Sequence, residues 1–271
     1  MTPSTSSRNN RGMPQSAPPH GGTLWRRLVK TAVPLAVWLG VWQLAAMGVG
    51  KELLLPTPAA VARTLAALAG TRAFWAAAAA SLLRVFGGFA AGCALGAALA
   101  VLTSFCTWAD WIFSPAVRIV RATPVASFIL LVLLWAPTGR VPAIIAALMV
   151  LPVVWANVCK GIVQTDPLLL EAARAYRFSA GKTARLVYAP SALPYFAAGC
   201  STGMGLAWKA GVAAEVLCQP RAAIGTQVYF SKIYLETPDL FAWTAVVIVL
   251  SLVLENALGA ALGRMGGGAE R

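Results

Sequence analysis

Six stretches of this chain are too long and too poor in charge to be held in water. Thr31–Gly50 and Val141–Val158 carry no charged side chain, and Leu82–Leu102 carries only Arg84. Ile119–Trp135 holds one charge, Tyr195–Cys218 two and Leu240–Leu262 one. About 20 consecutive apolar residues span the hydrocarbon core of a bilayer as a helix. A helix also satisfies its backbone polar groups within one segment, which lipid demands. Charged residues make up only 11% of the chain, against about a quarter in soluble domains. The expected fold is all-α: a polytopic integral membrane protein with six transmembrane helices. The first stretch exceeds the roughly 7–15 apolar residues of a cleaved signal, so it reads as a span.

Basic residues gather at the ends of these stretches. Of the 22 Lys and Arg residues, fourteen fall on the side of the N-terminus and six on the other, with Arg84 and Lys209 inside spans. The positive-inside rule then places both termini and the 159–194 loop in the cytoplasm. The net charge of +13 forms no single basic face, so no nucleic acid partner is expected. His20 is the one histidine, and the five cysteines show no CxxC spacing. Neither a metal site nor a catalytic constellation is expected, and the cysteines read as small buried hydrophobes.

Small residues recur four apart in two spans: Gly88, Gly92, Gly96 and Ala100 in the second, and Gly199, Gly203, Ala207 and Gly211 in the fifth. Such ladders let a second helix approach closely, either from the same chain or from another copy. The fifth span also holds Trp208, Lys209 and Glu215, and the sixth holds Glu255. A charge at this depth costs about 2.5–3.5 kcal/mol on insertion scales, so it should face a cavity or a partner. Lys209, Glu215 and Trp208 are therefore pathway candidates, with Lys209 supplying positive potential for small anions. The competing reading pairs Lys209 structurally with Glu215 of a second copy or with Glu255. Within one helix, six residues set Lys209 and Glu215 about a third of a turn apart.

The loop between the fourth and fifth spans is the longest connection after the N-terminal tail. Asp166-Pro167 supplies an N-cap with proline at the first helical position. Leu169, Leu170, Ala173 and Tyr176 then recur at helical spacing beside Arg174 and Arg177. The period breaks over Phe178–Gly181, and a second short helix is expected to Val187 before Pro190 and Pro194. Apolar anchors flanked by charge suit docking into a groove of a cytoplasmic partner; a solvated basic loop is the plainer alternative.

Glu171-Ala172-Ala173, with Pro190 and Leu193-Pro194 beyond it, resembles the EAA motif of binding-protein-dependent ABC importer permeases. Ser81-Leu82-Leu83-Arg84-Val85, Gly87-Gly88-Phe89, Thr123-Pro124-Val125-Ala126, Leu133-Leu134-Trp135 and Ala213-Ala214-Glu215 look closest to the nitrate/sulfonate/taurine group. Arg177 stands where that family's pattern has glycine, and Gly181 is the residue expected to make the turn instead. The resemblance implies a type I importer permease of a bacterial inner membrane. In it Glu171, Ala172, Ala173, Arg174, Arg177 and Gly181 would form the loop that couples to an ATP-binding subunit. It implies two ATP-binding subunits, a second permease copy (a homodimer), an extracytoplasmic substrate-binding protein and surrounding membrane lipid. The expected division is a cytoplasmic tail over 1–25, a first transmembrane helix over 26–50 and an interfacial connection over 51–80. A permease core over 81–265 would hold the 159–194 loop, followed by a tail over 266–271.

No cofactor is expected, and GxxxxGK[ST] is absent, so the chain itself is not expected to be an enzyme. The principal rival is a secondary transporter of a small solute, which would show repeated halves and paired acidic ion sites; neither is evident.

Overall fold

The computed structural model describes the backbone of residues 23–266 and the side chains of residues 32–262. Most of the N-terminal tail, and nearly all of the C-terminal one, lie outside the described residues. Among the described residues every regular element is a helix. Four helices are long and apolar enough to cross a membrane: Ala32–Val49, Arg72–Phe105, Val141–Val163 and Thr237–Leu262. They lie in α1 (Thr23–Val49), α3 (Arg72–Phe105), α6 (Val141–Val163) and α11 (Thr237–Gly266). The expected fifth span falls in α9 (Ala189–Cys218), whose 30 residues extend roughly 45 Å at 1.5 Å per residue. Its glycines, Ser201, Thr202, Lys209 and Glu215 make it less apolar than those four.

The third expected span is not one helix. α4 (Thr107–Ala122) and α5 (Val125–Leu133) are separated by Thr123-Pro124 and bent by 106°. Proline cannot donate to the helical ladder and pushes the residue before it out of the α region. Thr123 accordingly sits at φ −78°, ψ 132°. α5 then packs Ile129 against Val141 and Ile145 of α6 and against Ala210, Ala214 and Cys218 of α9.

The core is built on α3, α6 and α9. A Cβ on Gly88 would lie 2.1 Å from Ala143 O, one on Gly92 2.7 Å from Ala147 O, and one on Gly96 2.8 Å from Leu151 O. Both numbers of each pair climb in steps of four, so α3 and α6 run parallel with their backbones in near contact. Side chains on that face would force the two helices apart. α9 runs antiparallel to α6: its Gly199 meets Asn157 and Val154, and Gly203 meets Val150. Gly211 lies instead against Val85 of α3. Both ladders thus pack within this chain. Cys93 and Cys200 face each other where α3 meets α9, with Sγ atoms 3.4 Å apart, and all five cysteines are free.

Two short helices complete the end of the bundle where α3 and α6 begin. α2 (Pro58–Ala69) starts at Thr57, whose Oγ1 accepts from Ala60 N at 3.2 Å, with Pro58 in the first turn. It packs on α11. α10 (Ile224–Ile233) lies between α9 and α11. α1 is attached more lightly, through Trp42, which donates to Pro56 O at 3.1 Å and stacks on Phe241.

Candidate functional site

The 159–194 loop lies at the opposite end of the bundle. α7 (Pro167–Ala175) is capped by Asp166, which accepts from Leu168 N at 2.8 Å. Its C-terminus closes through two backbone bonds: Phe178 N donates to Ala173 O and Arg177 N to Arg174 O, each at 2.9 Å. These are the two bonds of a Schellman cap, which needs its intervening residue in the left-handed region. That residue is Arg177, at φ 52°. The turn is therefore made at the glycine position itself. Gly181, expected to make it, lies inside α8 (Ala180–Thr183) and has no positive φ. Arg177 accepts the strained conformation because both cap bonds hold it there.

The second short helix does not end before the fifth span. α8 passes through a five-residue π-helical turn, Ala184–Tyr188, directly into α9. Pro190 has no N–H for Leu186 O, and its ring crowds that carbonyl. Widening the turn relieves the clash, and Ala189 N bonds instead to Ala184 O.

Ala173 is buried under α7, and Leu170 is half-buried. Leu168, Leu169, Ala172 and Tyr176 face outward with Glu171, Arg174 and Arg177; Leu168 is 70% exposed and Tyr176 79%. An amphipathic helix beyond the membrane thus shows an apolar strip edged by charge.

The three pathway candidates part company. Trp208 is wholly buried, its indole N–H donating to Val247 O of α11 at 2.9 Å. Lys209, the next residue, is exposed on a strip of α9 that includes Thr202, Leu206, Ala213 and Leu217. This spacing of three and four residues is one face of the helix, and the described residues leave it uncovered.

Glu215 is fully buried and held from three directions. Ser81 Oγ donates to its Oε2 at 2.7 Å, Gly225 N donates to the same oxygen at 3.1 Å, and Arg84 Nη1 approaches Oε1 at 3.3 Å. Arg84 also donates to Ala222 O at 3.0 Å and Arg221 O at 2.7 Å, and Ser81 Oγ accepts from Ile224 N at 2.9 Å. Gly225 has to be glycine for this approach, since a Cβ there would fall 2.5 Å from Glu215 Cβ. The carboxylate ties α3, α9 and the start of α10 into one unit. Among the described residues this is the one ion pair within 4.0 Å. Pairing of Lys209 with Glu215 of a second copy is thereby corrected: that carboxylate is buried and occupied within its own chain. Glu255 accepts from Ser251 Oγ at 3.1 Å and lies against Gly205.

Sequence reasoning singled out Glu215 but missed its partners. Arg84 stood out as the one charge in the second span; no helical period links it to a residue 131 positions away.

Residues 88–265 match the model of the family described as binding-protein-dependent transport system inner membrane component. The chain is 27% identical to the taurine transport system permease protein TauC of Escherichia coli K12, over 84% of each chain. It is 26% identical to the riboflavin transport system permease protein RibX of Chloroflexus aurantiacus, over 82% of this chain and 83% of that one. A crystal structure of an amino acid ABC transporter with histidines shares the fold, with a TM-score of 0.55 and 18% identity over 69% of this chain and 89% of that chain. The family match covers well over half of the sequence, and the chain belongs to that family as a multi-pass membrane permease subunit of an ABC importer.

Proposed function

We propose that this permease works as one half of a homodimer, each copy seating α7 and α8 in a cleft of one of two separate ATP-binding subunits, which carry out the ATP hydrolysis. The outward strip of Leu168, Leu169 and Tyr176, edged by Glu171, Arg174 and Arg177, carries this reading. Apolar anchors flanked by charge are what helix-in-groove docking uses, and nothing in the described chain covers them. Both termini face the cytoplasm on the count of basic residues, and an extracytoplasmic binding protein delivers solute at the α2–α10 end. The test is co-purification of the cognate ATPase: Glu171→Arg or Tyr176→Ala should abolish capture while leaving the permease folded in detergent. Full retention of the ATPase by both variants would overturn the docking face.

For the solute we propose a small sulfonate-like anion. Relatives described as taurine and aliphatic sulfonates transport permeases support it, as does Lys209 on the uncovered face of α9. Paired in a dimer, two such lysines would give the pathway a positive potential. In reconstituted vesicles Lys209→Met should lower sulfonate uptake with ATPase capture intact; unchanged uptake would remove Lys209 from the pathway. The riboflavin permease in the same family makes riboflavin the control solute.

A further inference from the structure

A cavity of about 600 Å³ opens between the last turns of α3 and the coupling helices. Val101 and Phe105 of α3 line it together with Leu170, Phe178 and Tyr188, and Phe105 and Tyr188 meet edge to face at 5.1 Å. Its size falls inside the range of about 300–1,000 Å³ used by small-molecule sites. The lining is apolar with one charged side chain, Arg174. A second cation stands at the rim, where Lys182 Nζ lies 4.1 Å over the Phe178 ring.

We infer that this cavity is a phospholipid site, one acyl chain lying among Val101, Phe105 and Leu170 and the headgroup phosphate meeting Arg174. Three observations select this occupant. The cavity is continuous with the exposed apolar end of α3, where Val101, Leu102 and Phe105 are each about half exposed, so a chain can enter sideways from the bilayer. The charge is at the loop side, which is where a headgroup would sit once its tail followed α3 inward, and a guanidinium is the side chain best matched to a phosphate. A protein segment would bring a run of backbone donors and acceptors, and among the lining residues only Arg174, Thr183 and the Tyr188 hydroxyl could meet them. The apolar strip proposed to dock the ATPase lies elsewhere on α7: Leu168, Leu169 and Tyr176 point outward, whereas Leu170 and Ala173 line the cavity, and Arg174 stands at the edge of both.

The experiment is native mass spectrometry of the delipidated permease–ATPase complex with added phosphatidylglycerol. The wild type should retain bound phosphatidylglycerol at collision energies that strip the detergent. Val101→Trp, which fills the α3 side, and Arg174→Gln, which removes the charge, should each lower its occupancy. The expected loss is about tenfold for Arg174→Gln, the contribution of one charge-assisted hydrogen bond. If Val101→Trp fails to fold, a phosphatidylglycerol with a photoreactive tail, added to wild type, should label peptides holding Val101–Phe105 and Leu170–Phe178. Equal retention by wild type and Arg174→Gln would overturn the site. So would labelling confined to other spans, or a cavity protected only by the ATPase and without lipid. Loss of the ATPase from Arg174→Gln with lipid retained would assign Arg174 to the docking edge and overturn its phosphate contact; loss of lipid with the ATPase still captured would support the lipid site.

Discussion

Arg84 Nη1 stands 3.3 Å from Glu215 Oε1 across 131 residues of chain, the arginine 21% exposed and the carboxylate not at all. The same guanidinium holds Arg221 O and Ala222 O, in a connection where Gln219 and Ala222 both have positive φ. Non-glycine residues in that region cost roughly 1–3 kcal/mol each and persist where their surroundings over-determine them. Arg84 therefore fixes the path of the α9–α10 connection as well as neutralising a buried charge.

Removing one partner leaves the other buried and unpaired. Arg84→Ala should destabilise the permease by about 3–5 kcal/mol, read as a fall in its thermal unfolding midpoint in detergent. Arg84→Ala combined with Glu215→Gln should be more stable than Arg84→Ala alone, because a neutral amide can keep the Ser81 and Gly225 contacts without an unpaired charge. A double variant that falls by the sum of both single losses would show the two residues to be uncoupled.

In the 159–194 loop, Arg177 and Gly181 should respond differently to substitution. Arg177→Gly should stabilise α7 by about 1 kcal/mol, since the left-handed conformation costs a side-chain-bearing residue roughly that much. Gly181→Ala should cost nothing and should favour α8, because Gly181 is helical with open space around it and alanine is the better helix former. Amide exchange at Phe178, whose N–H makes the cap bond to Ala173 O, would slow in the first variant. The reverse order of the two effects would place the turn at Gly181.

Adjacent glycines in α3 should differ sharply. A Cβ on Gly88 meets the Ala143 carbonyl, while one on Gly87 meets nothing within 4 Å. Gly88→Ala should lose at least about 1–3 kcal/mol to overpacking, and Gly87→Ala should be neutral or slightly stabilising. Unfolding midpoints of the two variants check this directly.

The spans were legible because lipid imposes length and apolarity on any segment that crosses it, and the loop was legible because Glu171-Ala172-Ala173 sits between the fourth and fifth of them. Thr123-Pro124 was visible too, yet hydropathy averages over a break and cannot report a 106° bend. The left-handed turn at Arg177 was hidden for a different reason: residue preference names glycine there, and two tertiary-independent backbone bonds outweigh that preference. Leu235, at φ 58°, repeats the case at the end of α10, with Glu236 N bonded to Ser231 O. The Glu215 network was out of reach because its members come from three elements, and nothing in the local period of one announces the others. The partner of the Gly88 ladder was open for the same reason, until α6 was seen to run parallel to α3.

Residues 180–218 run as one continuous helical stretch of roughly 58 Å, with a π-helical turn ahead of Pro190 and a further proline, Pro194, inside α9. Lys182, Arg185, Lys209 and Glu215 therefore ride the same shaft, with no loop between them. A proline thus sets where that stretch widens, and the Glu215 carboxylate bolts its far end to α3 and α10.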